Sequence, residues 1–141
     1  MKKKVFDALS KRVQWEPYAQ VLGLRLKKVN EGYSLVEMTT SDEMQNILGN
    51  THGGAIFSLI DEAFETASNS HGTIAVALNM NVTFIAPPAP GEVLQAEAKE
   101  INLTRRTATY LINVTGKGNR LIATCQALVY RKKEALPFLE E

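Results

Sequence analysis

The stretch Asn46 to Gly72, NILGNTHGGAIFSLIDEAFETASNSHG, decides how the chain is read. From Ile56, the apolar residues Ile56, Leu59, Ile60, Ala63, Phe64 and Ala67 fall at offsets 0, 3, 4, 7, 8 and 11, the stripe of a helix lying on a sheet. A polar loop with glycines precedes it. Asn50 or Thr51 is placed to cap the helix, and Gly53 and Gly54 leave its first-turn N–H groups without side-chain cover. Such a helix start, with the dipole behind it, suits a carbonyl oxygen that turns negative during a reaction. Glycines there serve close helix packing equally well, and pattern alone leaves both readings open.

Asp61 sits at the edge of the stripe. A charge beside apolar neighbours is paired, exposed or kept for chemistry, and its polar companions Glu62 and Glu65 fit a solvent-exposed edge. Glu65 is one turn beyond Asp61, so the two carboxylates raise one another's pKa if both are sheltered from water. Eight residues separate Gly53 from Asp61, which at helical rise is roughly 12 Å. A general base works within about 3 Å of its proton. One helix therefore cannot bring both groups to one atom. If they act together, antiparallel helices from two subunits meet in a two-fold dimer with two equivalent sites.

Working outward, 141 residues with 45% hydrophobic and 22% charged content describe one ordinary domain over residues 1–141, with 1–20 as an N-terminal helical extension. A net charge of +1 supplies no electrostatic case for nucleic acid or a membrane surface. The single cysteine, Cys125, excludes an internal disulfide or a cysteine metal cluster and suits a reducing compartment. The lysines at 2–4 are followed by no apolar run long enough for a signal peptide, so a cytoplasmic location is expected.

Residues 2 to 14 read as a short helix burying Val5, Phe6, Leu9 and Val13. Pro17 ends that segment, and Trp15 is expected as an anchor onto the domain body. Residues 22 to 40 read as a hairpin around Asn30-Glu31-Gly32. Ser41 then caps a short helical turn ending near Gly49, which places Asn46 in a compact loop. After the central helix, His71-Gly72 reads as a C-terminal stop. Four strands are predicted next: Thr73 to Ala86, Glu92 to Ile101, Thr107 to Gly116 and Arg120 to Arg131. Val76, Leu78, Met80, Val82 and Phe84 are expected on one apolar face of the first. The order suggests an α+β fold, a curved antiparallel sheet wrapped around Ile56 to Ala67.

Asn46, His52-Gly53-Gly54 and Asp61, followed by four strands, resemble the hotdog fold, and more narrowly the PaaI-type acyl-CoA thioesterases. The resemblance runs from about Leu22 to Tyr130 and includes the helix end Ala67-Ser68-Asn69-Ser70-His71-Gly72. It implies that the Gly53 N–H polarises a thioester carbonyl and that Asp61 comes from the facing subunit as general base or nucleophile. It also implies that Asn46 holds substrate or the attacking water and that His52 shapes the loop. Gly54, Ala77 and Asn79 are the candidate substrate-binding positions. Some relatives carry a hydroxyl where Ala77 stands, a loss that Asn79 compensates only if it faces the site. Glu65 stands where relatives tend to have a small or neutral residue.

The resemblance implies hydrolysis of acyl-CoA to free acid and CoA in a homodimer or tetramer. It calls for no metal or cofactor beyond the CoA of the substrate. Arg105, Arg106 and Arg131 to Lys133 are candidates for the CoA phosphates. The alternative is an acyl-CoA-binding sensor without turnover, although residues 1–20 contain no convincing DNA-binding helix pair.

Overall fold

The long apolar stripe forms one continuous helix, and a single sheet is built against it. The computed structural model describes residues 2–140. Helix α1 spans Lys2–Trp15 and α2 Pro17–Leu22. Strands β1 (Arg25–Asn30) and β2 (Tyr33–Thr39) lead through a 3-10 turn, Asp42–Met44, to α3 (Gly53–Ser68). Strands β3 (Thr73–Phe84), β4 (Val93–Leu103), β5 (Thr107–Thr115) and β6 (Leu121–Ala135) complete the chain. The six strands form one antiparallel sheet in the order β1-β2-β4-β5-β6-β3. The result is the expected hotdog arrangement, a curved sheet around one long helix.

Leu59, Ile60, Ala63, Phe64 and Ala67 of α3 are buried against the inner side chains of the sheet. Fully buried Ala96, Ala98 and Ala108 keep the strand surface under the helix low, which lets large side chains meet elsewhere. Phe64 accordingly meets Tyr110 edge-on, with ring centroids 5.7 Å apart and planes at 64°. Ser34 of β2, itself buried, donates its hydroxyl to the Ala63 carbonyl at 2.6 Å, tying sheet to helix by a satisfied polar contact.

Several expectations change on contact with the fold. The hairpin begins at Arg25 rather than Leu22, because Pro17 both ends α1 and opens α2 at the first-turn position where its missing N–H costs nothing. Gly23, left-handed at φ 67°, closes that helix. Trp15 is no anchor: it is 74% exposed at the end of α1. The end of α3 comes at Ser68, and the stop is a further 3-10 turn, Asn69–His71, closed by Gly72 at φ 91°. His71 is not merely facing a helix dipole, since its Nε2 lies 2.6 Å from Glu100.

The apolar face predicted for β3 is broken by a bulge. Ala77 pairs with Val129 and Asn79 with the next residue, Leu128, so Leu78 is the extra residue. Ala77, Met80, Val82 and Phe84 lie opposite buried residues of β6, whereas Val76 is on the other face. Strand β3 is also an outer edge of the sheet and exposes Val76, Leu78 and Phe84. No helix among the described residues is long and apolar enough to cross a membrane.

Because Phe64 is buried on all sides at the helix–sheet contact, Phe64→Ala should cost about 3–5 kcal/mol. Urea denaturation monitored by circular dichroism measures it. A loss below about 1 kcal/mol would mean that the core is not organised around this ring.

Candidate active site

The loop ahead of α3 is held by its own backbone and by Asn46. The Asn46 N–H donates to the Asn50 carbonyl at 2.7 Å, and the His52 N–H to the Met44 carbonyl at 2.6 Å. The Asn46 Oδ1 accepts from the N–H groups of Leu48 (2.9 Å) and Asn50 (3.1 Å), an Asx-type closure of the turn. Gln45 and Thr51 form an isolated antiparallel bridge. The carboxamide oxygen of Asn46 is thereby committed to structure, while its Nδ2 has no partner among the described residues and remains able to donate.

With Asn50 and Thr51 occupied in closing the loop, the cap of α3 is His52, not either of them. His52 has extended φ/ψ, and its Nδ1 accepts from the Gly54 N–H at 2.8 Å. The N–H groups of Ala55 and Ile56 point to the His52 carbonyl. No partner among the described residues takes the Gly53 N–H, so it is the unspent first-turn donor at the positive end of the helix. The glycines also serve packing. A Cβ on Gly53 would lie 3.3 Å from the Phe84 ring, and one on Gly54 would lie 3.0 Å from His52 Nδ1. The first turn is braced from outside as well: Ser58 Oγ donates to the Gly54 carbonyl at 2.8 Å and lies 2.8 Å from the Tyr18 hydroxyl of α2.

Asp61 lies two turns further along the same helix. The residue has an exposed surface, yet the protein packed around its carboxyl holds the pKa above the ordinary aspartate value of 3.8, chiefly by desolvation and then by the charge of Glu16. Its field also contributes to raising the buried Cys125 thiol, which burial pushes up to about 11.

The structure brings Asn46, His52, Gly53 and Gly54 together at one end of α3. Asp61 is not among them in the same protomer. Ala77 is on the helix side of β3, but Asn79 is on the opposite face, where its Oδ1 accepts from Asn81 Nδ2 at 2.7 Å. Arg105, Arg106 and the segment Arg131 to Lys133 share one surface cavity, although the Arg131 guanidinium already donates to the Thr104 carbonyl at 2.7 Å.

The sequence pattern missed a second acidic feature. Glu62, expected at a solvated edge, is only 4% exposed, because the corner between α1 and α2 covers the outer face of α3 and sets Glu16 beside it. One carboxylate oxygen each from Glu16, Glu62 and Glu65 lies within 4.8 Å of the other two. Burial, with neighbouring carboxylates adding to it, pushes Glu62 and Glu65 well above the ordinary value of 4.5. Pro17 signals that a corner exists, but nothing in the pattern says which face of α3 it covers.

A sheet wrapped on a helix, with an unspent amide at the helix start and a raised carboxylate two turns on, defines an architecture shared with known proteins. The thioesterase superfamily model matches residues 48–123. The chain therefore belongs to that superfamily, as a hotdog-fold thioesterase of the PaaI type. It is 33% identical over 113 residues to the acyl-coenzyme A thioesterase PaaI of Escherichia coli, covering 80% of this chain and 81% of that protein. The solved E. coli PaaI structure superposes with a TM-score of 0.87 over 96% of this chain and 98% of the other, at 28% identity in that alignment. A mutant structure of the phenylacetic acid degradation protein PaaI from Thermus thermophilus gives a TM-score of 0.80 at 34% identity, over 83% and 100%.

Because folding raises the Glu62 pKa, the native state binds that proton more tightly than the unfolded chain. This contribution to stability is complete below about 4.5 and is lost as pH rises through the folded value. Glu62→Gln keeps the shape of the protonated side chain. In chelator-treated buffer the variant should melt above the wild type at about pH 8, with the gap closing at about pH 4. Differential scanning calorimetry across pH checks it, and a variant that melts lower at every pH would contradict the burial assignment.

Proposed function

We propose that the protein hydrolyses an acyl-CoA thioester to a free carboxylic acid and CoA. The carrying observation is the unspent Gly53 N–H, left over when His52 takes the N–H of Gly54. That donor binds the thioester carbonyl oxygen and stabilises it as it becomes an alkoxide. Asp61 of the facing subunit takes a proton from water as the water oxygen attacks the carbonyl carbon. The tetrahedral adduct then collapses, the C–S bond breaks, and the proton passes to the departing CoA thiolate. Direct attack by Asp61, giving an anhydride that water opens, uses the same placement. The Nδ2 of Asn46 orients water or substrate, since its oxygen is spent on the loop, while Gly54 and Ala77 line the acyl side. No metal or prosthetic group enters these steps.

The need for two subunits follows from the continuous helix between Gly53 and Asp61. Edge strand β3, with its exposed apolar side chains, supports pairing with the same strand of a second copy about a two-fold axis. Dimers of this kind can pair again into tetramers. The Arg105, Arg106 and Lys132 cluster supports binding of CoA phosphates as charge-assisted contacts. The buried, unpaired Cys125 is compatible with the cytoplasm.

Thiol release from a panel of aryl-acetyl, benzoyl and medium-chain acyl-CoAs tests the reading. Saturable binding without release would make the protein an acyl-CoA sensor instead. Asp61→Asn, which preserves shape but not basicity, should lower kcat by roughly 100- to 10,000-fold. In the wild type, kcat/KM should fall toward low pH with an inflection above 3.8, because desolvation and the Glu16 charge disfavour ionised Asp61. Near-normal turnover in Asp61→Asn would refute its role.

A further inference from the structure

On the outer face of the catalytic helix, three carboxylates converge, none of which touches the thioester in the proposed hydrolysis. Glu16 comes from the short link between α1 and α2, and Glu62 and Glu65 from successive turns of α3. Hard cations take oxygen ligands at about 2.0–2.6 Å. Two ligands on opposite sides of such an ion therefore lie no more than about 5 Å apart, and the three carboxylate oxygens, all within 4.8 Å of one another, are inside that span. Among the described residues this is the one group of acidic, histidine or cysteine side chains so arranged.

A second observation separates it from a chance acidic patch. Glu62 is only 4% exposed, and its Oε2 has no hydrogen-bond partner. A buried carboxylate oxygen without a donor is costly, and a cation at the cluster would supply what the protein does not. Glu16 is half-buried and Glu65 exposed, so an ion can enter from solvent and keep water in its remaining positions. Glu16 and Glu65 open onto a cleft shared with Arg12, Trp15 and Asn69; the guanidinium of Arg12 is stacked over the Phe138 ring at 5.3 Å.

We propose that Glu16, Glu62 and Glu65 form a binding site for a hard divalent cation, of the calcium or magnesium type, which staples the α1–α2 corner to the outer face of α3. The donor set is all oxygen, which disfavours ions that select nitrogen or sulfur. The cation joins two segments of one chain, so it binds native protein and not the unfolded chain, and it stabilises by mass action. It sits on the outer face of the helix and touches neither the thioester nor the attacking water.

Trp15 is the only tryptophan and lines the same cleft, so it can sensitise the emission of terbium bound as a calcium stand-in. Chelator-treated full-length protein should show saturable tryptophan-excited terbium emission, one ion per protomer, displaced by calcium or magnesium. Calcium or magnesium should also raise the melting temperature. Both responses should vanish in Glu62→Gln, and affinity should fall about tenfold or more in Glu65→Gln, with circular dichroism and the metal-free melting temperature checking that each variant keeps the fold. The absence of saturable emission, or equal affinity in wild type and both variants, would overturn the site and leave three carboxyls that share protons. None of these readouts depends on thioester hydrolysis, so the two proposals fail separately.

Discussion

The rise of a single α-helix is the constraint on which the proposed chemistry depends. Gly53 opens α3 and Asp61 lies within its unbroken run to Ser68, so the amide donor and the carboxylate are roughly 12 Å apart along the axis. Neither can be moved toward the other without breaking the helix that forms the core. Side-chain reach does not close that gap, because Gly53 has none and an aspartate is short. A second helix running the opposite way is the remaining means of placing both groups on one thioester. It would meet the first along the flank where β3 leaves the sheet unfinished.

The same helix faces two environments. Its inner stripe is buried against alanine-rich strands within the main hydrophobic cluster. Its outer face carries Asp61, Glu62 and Glu65, with Glu16 brought up from the α1–α2 corner. Covering these carboxylates costs free energy, and the cost falls on protonation: Asp61, Glu62 and Glu65 are all held above their ordinary values, mainly by desolvation. A general base gains from this, since a carboxylate raised toward the working pH is a better proton acceptor. Glu62 gains nothing comparable from its burial.

Much of the fold was legible in the sequence because it rests on periodicity. The 3.6-residue stripe from Ile56 to Ala67 marked α3, and the alternation after Gly72 marked four strands whose ends shifted by only a few residues. The pattern picked out the loop and helix start that the fold brings together at Asn46, His52, Gly53 and Gly54, but not how these residues bond to one another. His52 rather than Asn50 or Thr51 caps α3, because loop closure through Asn46 Oδ1 and the Gln45–Thr51 bridge starts the helix later than propensity suggests. The bulge at Leu78 puts Ala77 and Asn79 on opposite faces, and an unbroken apolar alternation carries no trace of an inserted residue. The burial of Glu62 comes from a corner more than forty residues earlier in the chain, beyond the reach of any local pattern.

The shared site is tested most directly by mixing two inactive proteins. Gly53→Pro removes the amide donor at the first helical position, where proline is tolerated, and His52 already has the extended conformation that a residue before proline requires. The three heavy atoms nearest an added Cβ all belong to the Phe84 ring, the closest at 3.3 Å. Asp61→Asn removes the base. Unfolded together and refolded as random dimers, the two variants should regain roughly a quarter of wild-type thiol release, since half the dimers are mixed and each mixed dimer holds one intact site. A mixture as inactive as either parent, with mixed dimers demonstrably present, would contradict a site built from two subunits.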